Sequence, residues 1–152
     1  KVWSDHADIR PTVLALTDLK DDYAHQGRPI TEVIAGLGED GNGSDLHRLA
    51  ALYKKINAPV GQLSLDSVKF ATKATLSSSA GDQTYIAADA RIAVWTVRRD
   101  TLAAKIILLL DNTAPSRSDS DSGSDSGSDD ADARGLAAQA VSLLAEVHRA
   151  AA

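Results

Sequence analysis

The stretch WSDHADIRPTVLALT, residues 3 to 17, decides how this chain is read. It sets a histidine between two acids, Asp5-His6-Ala7-Asp8, in front of a proline that opens an apolar run. Two chemistries fit such a cluster. His6 and Asp8 stand two apart, so on an extended segment their side chains point the same way and offer two metal donors. Alternatively, Asp8 supplies a carboxylate that caps a helix start, with Pro11 near the first turn, where a missing N–H costs nothing. One histidine and one or two carboxylates fall short of a zinc sphere. The other histidines, His25, His47 and His148, fall in a turn, on a helix and near the C-terminus, with no second histidine at helical spacing. The helix-start reading is therefore taken, and no catalytic, cofactor-binding or metal-binding residue is assigned.

Outward from this stretch the chain divides in two. Residues 1–38 alternate short apolar pieces with turn chemistry. Val2 and Trp3 read as the end of a strand, Val13 to Leu16 as a short buried helix, and Lys20-Asp21-Asp22 as a polar turn. Gly27 permits a second turn, and Ile30, Val33 and Ile34 begin another short helix. The string GLGEDGNGS, from Gly36 to Ser44, holds four glycines and reads as a flexible connector. It lacks the Gly-Lys-Ser/Thr ending of a phosphate loop and the spacing of a dinucleotide fingerprint.

Residues 39–152 are helical in pattern. Ser44 is placed to cap a helix whose Leu46, Leu49, Ala50, Tyr53 and Ile56 follow three-and-four spacing, and Asn57-Ala58-Pro59 ends it. A second helix is expected from about Gln62 to Ser78, with Leu65, Val68, Thr72 and Leu76 on its buried face, closed by the serines before Gly81. Asp82 then caps the longest helix, to about Asn112, with Tyr85, Ile86, Ile92, Trp95, Leu102, Ile106 and Leu109 as its stripe and Asp89 as a polar interruption. A last helix runs from Leu136 to about Arg149, carrying Ala140, Leu143, Leu144 and Val147. Helices of this kind are not stable alone in water, so an antiparallel bundle is expected.

The tract SRSDSDSGSDSGSDDADARG, Ser116 to Gly135, has no side chain large enough to bury and reads as a disordered acidic loop. Calcium binding there fails on spacing, because a glycine falls at the fifth position from Asp119 rather than the sixth and no Glu closes the loop. Gly123-Ser124-Asp125-Ser126-Gly127 matches a nucleophile-elbow pattern, but by low complexity rather than at a strand-turn-helix junction.

Composition narrows the function classes. Alanine-rich and aromatic-poor, the chain suits closely packed helices. It has no cysteine, hence no disulfide and no thiolate metal site, and the redox compartment stays open. Six of the acids cluster between Ser118 and Asp132; without them 16 basic residues face 21 − 6 = 15 acidic ones. That balance gives no basic stripe for nucleic acid. The longest apolar run, Ile106 to Leu110, is too short to span a bilayer. No leader is read at the N-terminus, and the lack of any Met suggests a processed or excised piece.

Residues 3–34 resemble a late segment of the alkaline phosphatase superfamily, which includes sulfatases and bacterial phosphodiesterases. The pattern there is S-H-x-D-I-x-P-T-L-L-x-L-x-G-L followed by a D-G-R/S turn. Here it is met by His6, Asp8-Ile9, Pro11-Thr12, the apolar run Val13 to Leu16, Leu19 and Gly27-Arg28. Asp18 replaces the helix-ending glycine, and Gln26 replaces the Asp of the turn. The resemblance is greatest to actinobacterial members, in which a long helical extension follows; residues 44–152 look like that extension. It implies a parent that hydrolyses phosphate or sulfate esters with zinc or calcium, secreted or in the cell envelope. The metal ligands of that family lie mostly upstream of this segment, so the resemblance carries no catalytic residue onto this chain.

The expected fold is thus mainly α: a short strand-helix remnant of an alkaline-phosphatase-like α/β domain over 1–38, then a helical bundle over 39–152 with an acidic loop at about 116–135. The expected function is that of a structural C-terminal portion, without turnover of its own, whose partner is the rest of the hydrolase. The alternative is a stand-alone helical interaction module, in which Ile92, Trp95, Leu102, Ile106 and Leu109 meet a partner helix or a second copy, with Trp95 and Tyr85 as anchors.

Overall fold

A computed structural model describes residues 3–19, 23, 25–34, 43–77, 82–112 and 126–152, less the side chains of residues 43, 112 and 126–130. The described residues are mainly helical and contain no strand. A 3-10 turn, His6–Asp8, leads directly into α1, Ile9–Leu16, and a second 3-10 turn spans Thr31–Val33. Four longer helices follow: α2, Gly43–Asn57; α3, Gln62–Ser77; α4, Gln83–Asn112; and α5, Ser126–Ala151. Each of these four packs against the other three. Val2, the Lys20-Asp21-Asp22 turn, the glycine connector up to residue 42, residues 78–81 and residues 113–125 lie outside the described residues.

The core explains why the bundle forms. Leu49, Ala50, Tyr53 and Ile56 of α2 meet Trp95, Leu102, Ala103 and Ile106 of α4 and Ala140, Leu143, Leu144 and Val147 of α5, all buried. Burying a Leu- or Ile-sized side chain contributes about 1.5–3 kcal/mol, and many small alanines let the backbones come close. Between α3 and α4, Phe70 stands edge-on to Trp95 at 5.1 Å between ring centroids. The expected stripes of α2 and α5 are buried, Leu46 partly so. In α4 Trp95, Leu102 and Ile106 are buried and Ile92 and Leu109 partly so, but Tyr85 and Ile86, expected in the same stripe, are exposed, because the first turns of α4 run past the end of the core.

Four expectations need correction. First, α3 is rotated: Leu65, Val68 and Leu76 are exposed, whereas Leu63, Asp66 and Ala74 are buried. The aromatic pair fixes this phase, since turning Leu65 inward would turn Phe70 away from Trp95. Second, α1 is not a buried helix. Only Pro11 and Thr12 are buried, and Ile9, Val13 and Leu16 face outward. Third, α5 begins at Ser126, ten residues before Leu136, so the second half of the acidic tract is helical. Ala133 and Ala137 extend the buried row toward the N-terminus, and Arg134 pairs with Asp45 of α2 at 2.8 Å. Fourth, α2 begins at Gly43, so Ser44 lies inside it rather than capping it.

The helix ends follow local chemistry. Asp18 adopts a left-handed φ of 55° after α1, and Leu19 N–H returns to Leu14 O at 3.0 Å, the backbone closure that usually takes glycine. Asp82, also left-handed at φ 52°, gives its carbonyl to the first backbone bond of α4, from Ile86 N–H.

Candidate functional site

The opening cluster proves to be the junction between the N-terminal segment and the bundle. Asp5 sits on extended backbone and its carboxylate accepts from Ala7 N–H at 2.9 Å, while Asp8 reaches back to accept from Asp5 N–H at 3.0 Å. This is a reciprocal capping box. Asp5, rather than Asp8, thus provides the forward cap, and the side chain of Asp8 makes no capping bond to α1.

Asp8 does something else. It is fully buried, and its Oδ1 accepts from Arg28 N–H at 2.9 Å and from Lys54 Nζ at 2.6 Å. Lys54, on α2 and equally buried, also reaches Asp5 at 2.9 Å and lies 4.3 Å from the Trp3 ring centroid. A buried ammonium is tolerable only with such company: two carboxylates and an aromatic face. The hydrogen bond from Lys54 holds the Asp5 carboxyl below its ordinary range.

Around this pair the segment is tied at further points. Thr12 Oγ1 donates to Asp8 O and accepts from Ile30 N–H at 2.9 Å. The buried Arg28 guanidinium grips Glu32 with two bonds, at 2.7 and 3.0 Å, and this depresses the Glu32 pKa. Its Nε is buried without a partner among the described residues. His47 of α2 bonds Thr31 at 2.7 Å, and Tyr53 donates to His25 O at 2.6 Å. Burial pushes the Tyr53 phenol up to about 12. Gly27 lies so close to the backbone of Ala7 that an added Cβ would stand 1.9 Å from Ala7 O, so here glycine serves a close approach.

His6 and Asp8 are not brought together as a donor pair: His6 is exposed while Asp8 is buried and consumed by Lys54. His148 is paired with Asp66, the polar member of the α3 buried face, at 3.1 Å. Among the described residues, no three His, Asp or Glu side chains converge as a metal sphere would need. Gly123 to Asp125 of the elbow-like pattern lie outside the described residues. The stripe offered to an external helix by the alternative reading is largely occupied from within: Trp95, Leu102 and Ile106 are core residues, and only Tyr85 of that set is well exposed.

Sequence reasoning passed over Lys54 and gave Arg28 and Thr12 no role beyond matching the family pattern. Lys54 carries the one available signal, since it lies directly beside Tyr53 on the stripe side of α2, between Ala50 and Asn57. Chemically the cluster is a closed ionic junction. Every Asp8 oxygen and the Lys54 ammonium have partners, which leaves neither a free nucleophile nor a free base. Compared with protein-family models, curated proteins and solved structures, the chain matches none.

Proposed function

We propose that this chain is a non-catalytic, structural C-terminal portion of a phosphate- or sulfate-ester hydrolase of the alkaline phosphatase type, which docks on the catalytic domain through α1. One observation carries the reading: Ile9, Val13 and Leu16, at helical spacing, form an apolar face on α1 that nothing among the described residues covers. Leu19 and Val33 are exposed as well. Such a contiguous apolar surface is the usual mark of an interaction site. The resemblance of residues 3–34 supplies the identity of the missing partner. The left-handed Asp18 supports it, because it keeps the helix stop where the family pattern has glycine. The extended backbone at Asp5 agrees with a strand entering from an α/β domain.

The Asp8–Lys54 junction then has a role in that arrangement, fixing the angle between the docking helix and the bundle. We read the bundle itself as antiparallel, because the links of residues 58–61 and 78–82 are short enough to force consecutive helices to reverse. Zinc or calcium belongs in this reading to the catalytic domain.

The test is twofold. The chain is assayed with aryl phosphate, phosphodiester and sulfate esters in the presence of zinc, calcium or manganese, and no turnover is expected. Binding of a fluorescent apolar probe should fall in Val13→Asp with the helical circular dichroism unchanged. Metal-dependent turnover that disappears in His6→Ala would overturn the proposal, as would probe binding indifferent to Val13→Asp.

A further inference from the structure

The outer face of α4 is a second apolar surface, remote in sequence from α1. Ile86, Val94, Val97 and Leu108 are 55, 58, 66 and 63 % exposed. At 100° per residue they fall within one quadrant of the helix, opposite the buried Trp95, Leu102 and Ile106. From Ile86 to Leu108 the stripe runs about 33 Å. Ala90 and Ala104, also exposed, stand with Val97 at seven-residue intervals along it, the repeat that keeps facing the partner in a coiled pair, and their small side chains allow a second backbone to approach.

The borders of the stripe decide what covers it. Along one edge stand Arg91, Arg98 and Lys105, each seven residues from the next. Along the other stand Asp89 and Asp100. Arg98 is shared with Glu146 of α5 and Asp100 with Arg99, both at 2.6 Å, and Arg91 lies over the Phe70 and Trp95 rings. Among the described residues no ion pair engages Lys105 or Asp89. An apolar seam with a cationic edge and an anionic edge complements itself under one operation only. A two-fold axis along the helix brings the acidic edge of one copy against the basic edge of the other. An axis across the helix sets like against like.

We propose that the outer face of α4 is a self-association seam, along which α4 of a second copy lies parallel to it. Asp100 of one copy, whose Oδ1 is taken by Arg99 of its own helix, then presents Oδ2 across from Lys105 of the other, five residues on, where the flanking positions of a parallel seam meet. The exposed α3 face, with Leu65, Val68 and Leu76, is bordered by Lys69 and Lys73 and has no matching row of acids, so charge gives it no reason to self-pair. This inference is independent of the role proposed for α1.

The chain lacks cysteine, which makes the test direct. Sedimentation velocity of the whole chain from micromolar to several hundred micromolar should show a monomer–dimer equilibrium. Val97→Glu, at a position too exposed to endanger the fold, should weaken association at least tenfold, while Val68→Glu and Val13→Asp leave it unchanged. Under mild oxidation, Ala90→Cys and Ala104→Cys should each form same-site disulfide dimers, as equivalent heptad positions facing each other across a parallel seam come within the required Cα separation of about 4.4–6.8 Å. Overturning results are a monomer throughout, a dimer indifferent to Val97→Glu, or a disulfide that forms only when the two cysteine variants are mixed.

Discussion

Replacing Asp8 by alanine removes one acceptor from three donors at once: Lys54 Nζ at 2.6 Å, Arg28 N–H at 2.9 Å and Asp5 N–H at 3.0 Å. Neither Asp8 nor Lys54 has surface open to water, so solvent does not take over the lost bonds. Each stranded buried donor costs about 1–3 kcal/mol, and removal of one member of a buried ion pair costs about 3–5 kcal/mol. Lys54 retains Asp5 and the Trp3 ring, which places the loss at the lower end of that range, about 3–4 kcal/mol. For a domain of this length the melting temperature should fall by about 6–16 °C. Urea unfolding followed by circular dichroism and tryptophan fluorescence measures the loss, with Trp3→Phe as the background that leaves the buried Trp95 as sole reporter. Asp8→Asn removes the charge and also turns one oxygen into an NH2; with the remaining oxygen kept for Arg28 N–H and Lys54, that NH2 opposes Asp5 N–H, so this variant too should lose about 1–3 kcal/mol. A loss below about 1 kcal/mol in Asp8→Ala would refute the reasoning, because buried donors would then be satisfied without Asp8.

Three further outcomes follow from the same geometry. Glu146 is held below the ordinary carboxyl range by the Trp95 indole N–H and by Arg98, as Glu32 is by Arg28, so these groups stabilise the fold above the unfolded carboxyl pKa. Stability in urea should therefore decline as pH falls below about 4.5, and the decline should be shallower in Glu146→Gln; equal slopes would exclude Glu146. At the alkaline end Tyr53, raised to about 12, stays protonated in the fold while the unfolded chain ionises near 10, so stability should be lost as pH rises between those values. Ultraviolet titration should show one of the three tyrosines ionising late, and a late step that persists in Tyr53→Phe would reassign it. Gly27→Ala drives a methyl into the Ala7 carbonyl and should cost about 1–3 kcal/mol or more in thermal unfolding; an unchanged melting temperature would mean the two backbones part freely.

How far the fold was legible varies from helix to helix. In α2 and α5 a single apolar stripe, Leu49 to Ile56 and Ala140 to Val147, leaves one face to bury, and the structure buries it. In α3 two stripes compete. The rotation that exposes Leu65 and Val68 also buries Asp66, which looks costly until His148 arrives from α5 at 3.1 Å. A partner 82 residues away leaves no trace in local periodicity. In α5 the reading failed for another reason. Ser, Asp and Gly in the tract look unable to pack, yet Ala133 and Arg134 find neighbours on other helices once the bundle exists, and tertiary contact overrides a weak propensity.

The ionic junction shows the same limit more sharply. The cap was legible because a capping box is a contact between residues three apart, and such spacing is visible in a string of letters. Its assignment to Asp8 rather than Asp5 failed because Asp8 spends its carboxylate on Arg28 and Lys54, 20 and 46 residues away. A lysine on the stripe side of a helix looks like a snorkelling surface residue; only the folded segment above it turns it into a buried cation. That asymmetry has a physical consequence. An apolar contact between the segment and α2 would tolerate sliding, whereas Lys54 satisfies both aspartates at only one setting. The face formed by Ile9, Val13 and Leu16 is therefore held at one angle to the bundle although nothing among the described residues covers it. A helix presented rigidly to an absent surface loses little further entropy when that surface arrives, which favours docking through α1.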